Sequence, residues 1–176
     1  MCVIIDKNVF GDVFEKESKN HDDFEPICRW ISEGFGRIVY GGSKYKSELN
    51  QSTKYLRLFK HYNDARRIIK LSDEKVDETE KRISKELEEE MISKHDFENK
   101  FNDPHIVSTA IVSKCRIVCT NDKGLSDFLK MPRFYPHGAD IPKIYRNKSN
   151  RDLIKDDNIA EVCKPSEKLQ KVKIPI

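Results

Sequence analysis

The feature that most constrains this chain is the stretch at residues 102–128, NDPHIVSTAIVSKCRIVCTNDKGLSDF, which runs from helical to extended to acidic turn. Ile106, Val107, Ala110 and Ile111 recur at helical spacing. Asp103 stands where an N-cap belongs, and Pro104 falls at the first helical position, where its missing N–H loses no partner. Residues 116–120 are mostly apolar and β-favouring, the pattern of a strand buried on both faces of a parallel sheet. Asn121 and Asp122 end that strand, and Asp127 follows in the next turn. A helix start at Asp103 and a strand end at Asp122 would face one crevice, the place where open α/β sheets bind ligands.

The rest of the chain extends this pattern. Cys2–Ile5 reads as a central parallel strand with Asp6 at its C-terminal end, and Gly11 allows a turn after it. Residues 15–23 are polar and read as loop. Pro26 suits a helix start, Ile27, Trp30 and Ile31 form its apolar stripe, and Gly34 suits its end. Arg37–Tyr40 reads as a second strand, broken by Gly41 and Gly42, with Ser43 capping a helix that carries Glu48 and Leu49. Successive strand–helix units imply parallel strands joined by right-handed crossovers.

Tyr55, Leu58, Phe59, Tyr62 and Ile69 continue on one helical face, and Ser72 with Asp73 and Glu74 marks a new helix start. Val76, Ile83, Leu87 and Met91 then make a narrow stripe on a long helix. A stripe this thin suits an antiparallel helical arm or a partner surface; ordinary core packing accounts for it too and is preferred. After residue 128, Pro132, Pro136, Gly138 and Pro142 punctuate a loop-rich stretch. Within it Ile144 and Tyr145 suit an edge strand, and residues 159–163 a short helix. The expected architecture is α/β, a three-layer sandwich around a mostly parallel sheet of four or five strands, plus a helical arm. Residues 1–135 form the domain, with a helical insert at about 55–101, and residues 136–176 pack on the same domain.

Composition narrows the setting. With 37% hydrophobic and 36% charged residues, the chain suits a small sheet core with long solvated helices. No run of 18 apolar residues is present, so no membrane span is expected. The start, MCVIIDKNVF, lacks a basic region and a small-residue cleavage site, so it does not read as a secretory signal. The cysteines at 2, 28, 115, 119 and 163 show no CxxC spacing, so buried reduced thiols in a cytoplasm are expected rather than a disulfide framework.

Residues 37–71 carry nine Lys/Arg against Glu48 and Asp64, a local +7, while residues 73–100 carry eleven acids against six bases, a local −5. Residues 143–176 have nine bases and five acids, a local +4. A basic block beside acidic turns suits a polyanion path, although a solvated helix face shows the same charge. Lys44, Lys46, Lys54, Arg57, Arg66 and Arg67 are the candidates to hold phosphates.

The chemistry lies in the acids. Asp6, Glu48, Asp103 and Asp122 come from distant parts of the chain, yet the α/β order brings them to one edge of the sheet. Clustered carboxylates are driven toward protonation unless a cation neutralises them. Mg²⁺ and Mn²⁺, which take oxygen ligands, are the natural partners, and such ions can activate water for phosphodiester cleavage. Blander roles exist for each: Asp6 as a turn residue, Asp103 as an N-cap, Asp127 as a helix start, and Glu25 or Glu33 in place of Glu48. His105 and His137 have no second His or Cys at ligand spacing, so no transition-metal site is expected from them. Cys115 and Cys119 straddle a helix end and a strand, which disfavours zinc, and no His partner marks a catalytic cysteine.

Four motifs in order, CVIIDKNVF, SEL at 47–49, DPHIVSTAI and CTNDKGLSDF, make residues 1–130 resemble the PIN-domain nucleases. In that family a polar Asn or Ser follows the first-motif Asp by two residues, as Asn8 does, and the fourth motif reads Thr/Ser-x-Asp, as Thr120 to Asp122 does. The resemblance implies a stand-alone, toxin-like endoribonuclease in which Asp6, Glu48, Asp103 and Asp122 hold Mg²⁺ or Mn²⁺. Asp127 would be an accessory ligand, and Asn8 and Thr120 would orient the carboxylates. An activated water would attack phosphorus in line, leaving a 5′-phosphate and a 3′-hydroxyl. It also implies RNA as substrate, an antitoxin or other protein partner on the helical arm, and a homodimer.

The chain departs from the toxins of that family in its longer insert between Glu48 and Asp103 and in its tail. Two alternatives therefore stand: a DNA- or structure-specific nuclease on the same site, and a non-catalytic PIN-like module that binds RNA or protein. A phosphatase is disfavoured because Lys7 and Asn8, not a second nearby Asp, follow Asp6.

Overall fold

Cys2–Ile5 is four consecutive apolar residues, and all four are buried, so it can only be an inner strand, β1. In the computed structural model, which describes residues 2–90, 103–154, 158, 160–163 and 169, it lies at the centre of the sheet. The others are β2 (Arg37–Tyr40), β3 (Ile68–Lys70), β4 (Ile117–Cys119) and β5 (Lys143–Tyr145). The order is β3-β2-β1-β4-β5 and every pairing is parallel. Helices flank the sheet in a three-layer α/β arrangement: α1 (Phe10–Phe14), α2 (His21–Glu33), α3 (Ser43–Asn50), α4 (Thr53–Asp64), α5 (Asp73–Glu90), α6 (Pro104–Ser113) and α7 (Lys123–Leu129).

The strand order places a topological switch point between β1 and β4. From β1 the chain steps outward to β2 and β3, then returns to the other side of β1 for β4 and β5. Ile5 pairs with Cys119, so the loops after β1 and β4 leave the sheet side by side and open a crevice between them.

Several local expectations are corrected by the fold. Helix α2 begins at His21, so Pro26 lies inside it rather than at its start. The backbone bond forgone is to the carbonyl of Asp22, an exposed residue that water can reach. Gly11 is helical within α1. Ser43 is the first residue of α3 and Gly42, at φ +88°, holds the cap position; the Ser43 hydroxyl instead donates to Asp77. Ile69 belongs to β3, not to the helix before it, because pairing with Val39 overrides the helical spacing.

Through residue 90 the expected insert does not stand away from the domain. β3 lies in the sheet, and Leu58, Phe59 and Tyr62 of α4 are buried in the core. On α5, Val76, Ile83 and Leu87 are fully or almost fully buried, and α5 packs along α6. The stripe is core packing, since an apolar face beside the apolar α6 is removed from water. Met91 and the end of the expected arm lie outside the described residues, as does Ile159.

Cys2 and Cys163 are joined by a disulfide across 161 residues of sequence, whereas Cys28, Cys115 and Cys119 are free and buried. The expectation of reduced thiols therefore holds for three cysteines and fails for this pair, whose Cα atoms the fold brings to 5.6 Å. No helix among the described residues is long and apolar enough to cross a membrane.

Candidate metal centre

Asp6 leaves β1 at the switch point, and its N–H donates to the Cys119 carbonyl at 3.0 Å. Its side chain is only 4% exposed. The Thr120 hydroxyl donates to Asp6 Oδ2 at 2.7 Å and the Asn8 backbone N–H to Oδ1 at 3.3 Å. Burial pushes the Asp6 carboxyl from 3.8 up to about 6; nearby Asp103 adds to the rise, while those two hydrogen bonds and His105 oppose it.

Helix α3 is seated by Tyr45, which is buried and donates its hydroxyl to the Ile5 carbonyl at 2.6 Å. One turn on, Glu48 emerges beside α6. Asp103 occupies the N-cap position of α6, but its side chain makes no capping hydrogen bond. Its Oδ1 lies 3.8 Å from Lys44 Nζ and 3.8 Å from His105 Nδ1. His105 is 1% exposed and packs edge-on to Tyr45. Its Nε2 lies 3.4 Å from Glu48 Oε2, and neither ring nitrogen makes a hydrogen bond with the described residues. One donor atom from each of Glu48, Asp103 and His105 lies within 4.8 Å of the others. Burial alone would raise the Glu48 carboxyl, but His105, with Lys44 and Lys7 further off, brings it below its ordinary value.

Sequence reasoning missed two residues here. The sequence offers His105 no second His or Cys at ligand spacing, yet carboxylates complete its surroundings. Glu80 reads in the sequence only as one acid of the insert. It sits four residues after Val76 and three before Ile83, on the buried stripe of α5, and an acid on an apolar stripe was the signal that could have found it. Burial raises its carboxyl, His105 and Lys44 oppose the rise, and Asp77 and Glu48 add to it, so Glu80 faces the same group of charges. With Lys44, Ser43 and Asp77 it lines a groove between α3 and α5.

The other expected site residues are placed differently. Asp122 N-caps α7, with Oδ1 accepting from Leu125 N–H at 2.9 Å, and its own N–H donates to Thr120 Oγ1 at 3.0 Å. Asp127 is exposed on α7, and the converging donors include none of Asp6, Asp122 and Asp127. Asn8 contributes its backbone N–H, while its side chain faces solvent. Glu25 pairs with Arg29 and Glu33 is exposed at the end of α2, which leaves Glu48 as the acid at the site.

Of the basic candidates, Lys44 alone stands against one of the converging acids. Lys46 pairs with Asp73, and Lys54 lies 2.9 Å from Glu15. Arg57 is exposed on α4, and Arg66 is exposed in a left-handed turn at φ +59°. Arg67 cannot hold phosphate, because it is completely buried. Its guanidinium donates to the carbonyls of Gly34 at 2.6 Å, Gly36 at 3.4 Å and Ser32 at 3.5 Å, closing the C-terminal end of α2.

The donor set of carboxylates and one imidazole fits a divalent cation. A cation there would give one imidazole nitrogen a partner and favour the ionised form of Asp6. Comparison with known proteins found no matching family model, no matching curated protein and no matching solved structure.

Proposed function

We propose that this chain is a PIN-like nuclease that hydrolyses RNA phosphodiester bonds with Mg²⁺ or Mn²⁺. The observation that carries the reading is the convergence of Glu48, Asp103 and His105 donors within 4.8 Å, near Asp6, at the C-terminal ends of the inner strands. The four sequence motifs support it, since two of their acids, Glu48 and Asp103, converge there and a third, Asp6, lies within electrostatic reach of Asp103 and His105. Asp6, Glu48 and Asp103 would hold the ion, which supplies charge neutralisation at the phosphate and a lowered pKa for water.

The chain's own part is positional. Thr120 Oγ1 and the Asn8 N–H fix both oxygens of Asp6. Lys44, 3.8 Å from Asp103, is set to meet a phosphate oxygen at the mouth of the groove. The cytoplasm remains the proposed compartment, and the Cys2–Cys163 disulfide is the observation that counts against it, since such bonds persist in oxidising surroundings.

The test is cleavage of labelled single-stranded RNA and DNA by the purified protein with Mg²⁺, Mn²⁺ or EDTA, beside Asp103→Asn. RNA cutting that needs the metal and disappears in Asp103→Asn is expected. Cutting of DNA in preference to RNA would move the substrate. Absence of cutting under every condition, or full activity in Asp103→Asn, would sink the reading.

A further inference from the structure

We propose that His105 is a direct ligand of this metal centre and that its nitrogen makes the site one for a first-row transition ion rather than for magnesium. The inference rests on the metal-dependent reading above and specifies which ion that reading requires.

A buried imidazole whose nitrogens stand 3.4 and 3.8 Å from carboxylates without making a hydrogen bond is unfavourable, by about 1–3 kcal/mol for each group left unsatisfied. Packing alone does not account for it. The residues that follow, Ile106 and Val107, are apolar and fully buried, and an apolar side chain would serve the same purpose beside Tyr45. Instead the ring stands between two carboxylates, with Nε2 toward Glu48 at 3.4 Å and Nδ1 toward Asp103 at 3.8 Å.

Two chemistries satisfy such a ring. As an imidazolium it would be a fixed internal partner of the two acids, and charge-assisted hydrogen bonds would draw the nitrogens to about 2.7–2.9 Å. The observed separations are longer than that and lack hydrogen-bond geometry. As a neutral ligand, one nitrogen takes the ion while the other N–H faces a carboxylate able to accept it, the usual arrangement around a metal-bound histidine. Either nitrogen can play either part here. Glu80 on α5 lies within electrostatic reach of His105 and Glu48.

The identity of the ion follows from the donors. Magnesium prefers oxygen ligands and retains its waters, whereas a nitrogen donor raises affinity for the first-row ions, least for manganese and more for cobalt, nickel, copper and zinc.

The test is performed on the whole chain with MnCl₂ and MgCl₂ as probes. Pulsed electron paramagnetic resonance of the Mn²⁺-loaded protein reads ¹⁴N coupling directly, and calorimetry gives the two affinities. The wild-type protein is expected to show ¹⁴N coupling and to bind Mn²⁺ more tightly than Mg²⁺. His105→Gln should lose the coupling and most of that preference, while Asp103→Asn weakens both ions. Mn²⁺ bound without ¹⁴N coupling, or an unchanged Mn²⁺/Mg²⁺ ratio in a folded His105→Gln, overturns the inference and leaves the metal-dependent reading standing. Failure of both ions to bind the wild-type protein overturns both. The wild-type spectrum decides the matter even if the variant does not fold.

Discussion

Replacing Asp6 with Asn should make the metal-free protein more stable at neutral pH, and the size of the gain follows from the site. The carboxyl rises from 3.8 in the unfolded chain to about 6 in the folded one. At 1.36 kcal/mol for each tenfold change, that is about 3 kcal/mol. Because the folded pKa is the higher, the folded protein keeps a proton that the unfolded chain releases. Stability is therefore fullest below about pH 4 and declines through pH 4–6. It is flat above that window, where Asp6 is ionised in both states. About 2 of the 3 kcal/mol falls between pH 4.5 and 7.5.

Asn removes this slope. It offers a single carbonyl oxygen where the carboxylate accepted from Thr120 and Asn8, so about 1 kcal/mol is lost with one hydrogen bond. The net gain at pH 7.5 is about 2 kcal/mol. Urea unfolding of both proteins in EDTA, at steps from pH 4.5 to 8, measures it. The two stability curves should converge as pH falls. Parallel curves, offset by a constant amount over that range, would refute the reasoning, because they would mean that Asp6 titrates alike in the folded and unfolded chains.

Arg67→Met should lower stability by about 3 kcal/mol in urea unfolding, since it orphans buried carbonyls at the end of α2, whereas Arg57→Ala on the surface should stay within about 0.5 kcal/mol. Ile83→Ala should lose about 2–5 kcal/mol because the side chain is fully buried beneath α5; a change under about 1 kcal/mol would mean that α5 stands free of the core. Gly42→Ala should lose about 1–3 kcal/mol, because φ is +88° and a Cβ would meet Val76 Cγ1 at 2.8 Å. A double-mutant cycle with Val76→Ala should recover the steric part but not the backbone part.

The inner strands and the acids at their ends were legible in the sequence for a local reason. A parallel strand buried on both faces has to be an unbroken apolar run, so Cys2–Ile5 could be read directly, and Asp6 had to fall at its end. Pro104 after Asp103, and Gly34 after Glu33, mark helix ends through backbone preferences that act within a few residues. β3 was not legible. Its three residues are an edge strand in a basic stretch, and pairing with β2 makes them extended.

Arg67 read as a surface charge because its partners, the last carbonyls of α2, lie some thirty residues back and meet it only when β3 docks beside β2. The same limit separates the acids from the site. The sequence could nominate Asp6, Glu48, Asp103 and Asp122 by type and order. It could not tell that Asp122 would spend an oxygen capping α7, that Asp103 would cap nothing, or that His105 and Glu80 would face Glu48. Coordination depends on separations of a few ångströms between residues on different helices, and those separations are set by how α3, α5 and α6 pack, which no local pattern encodes.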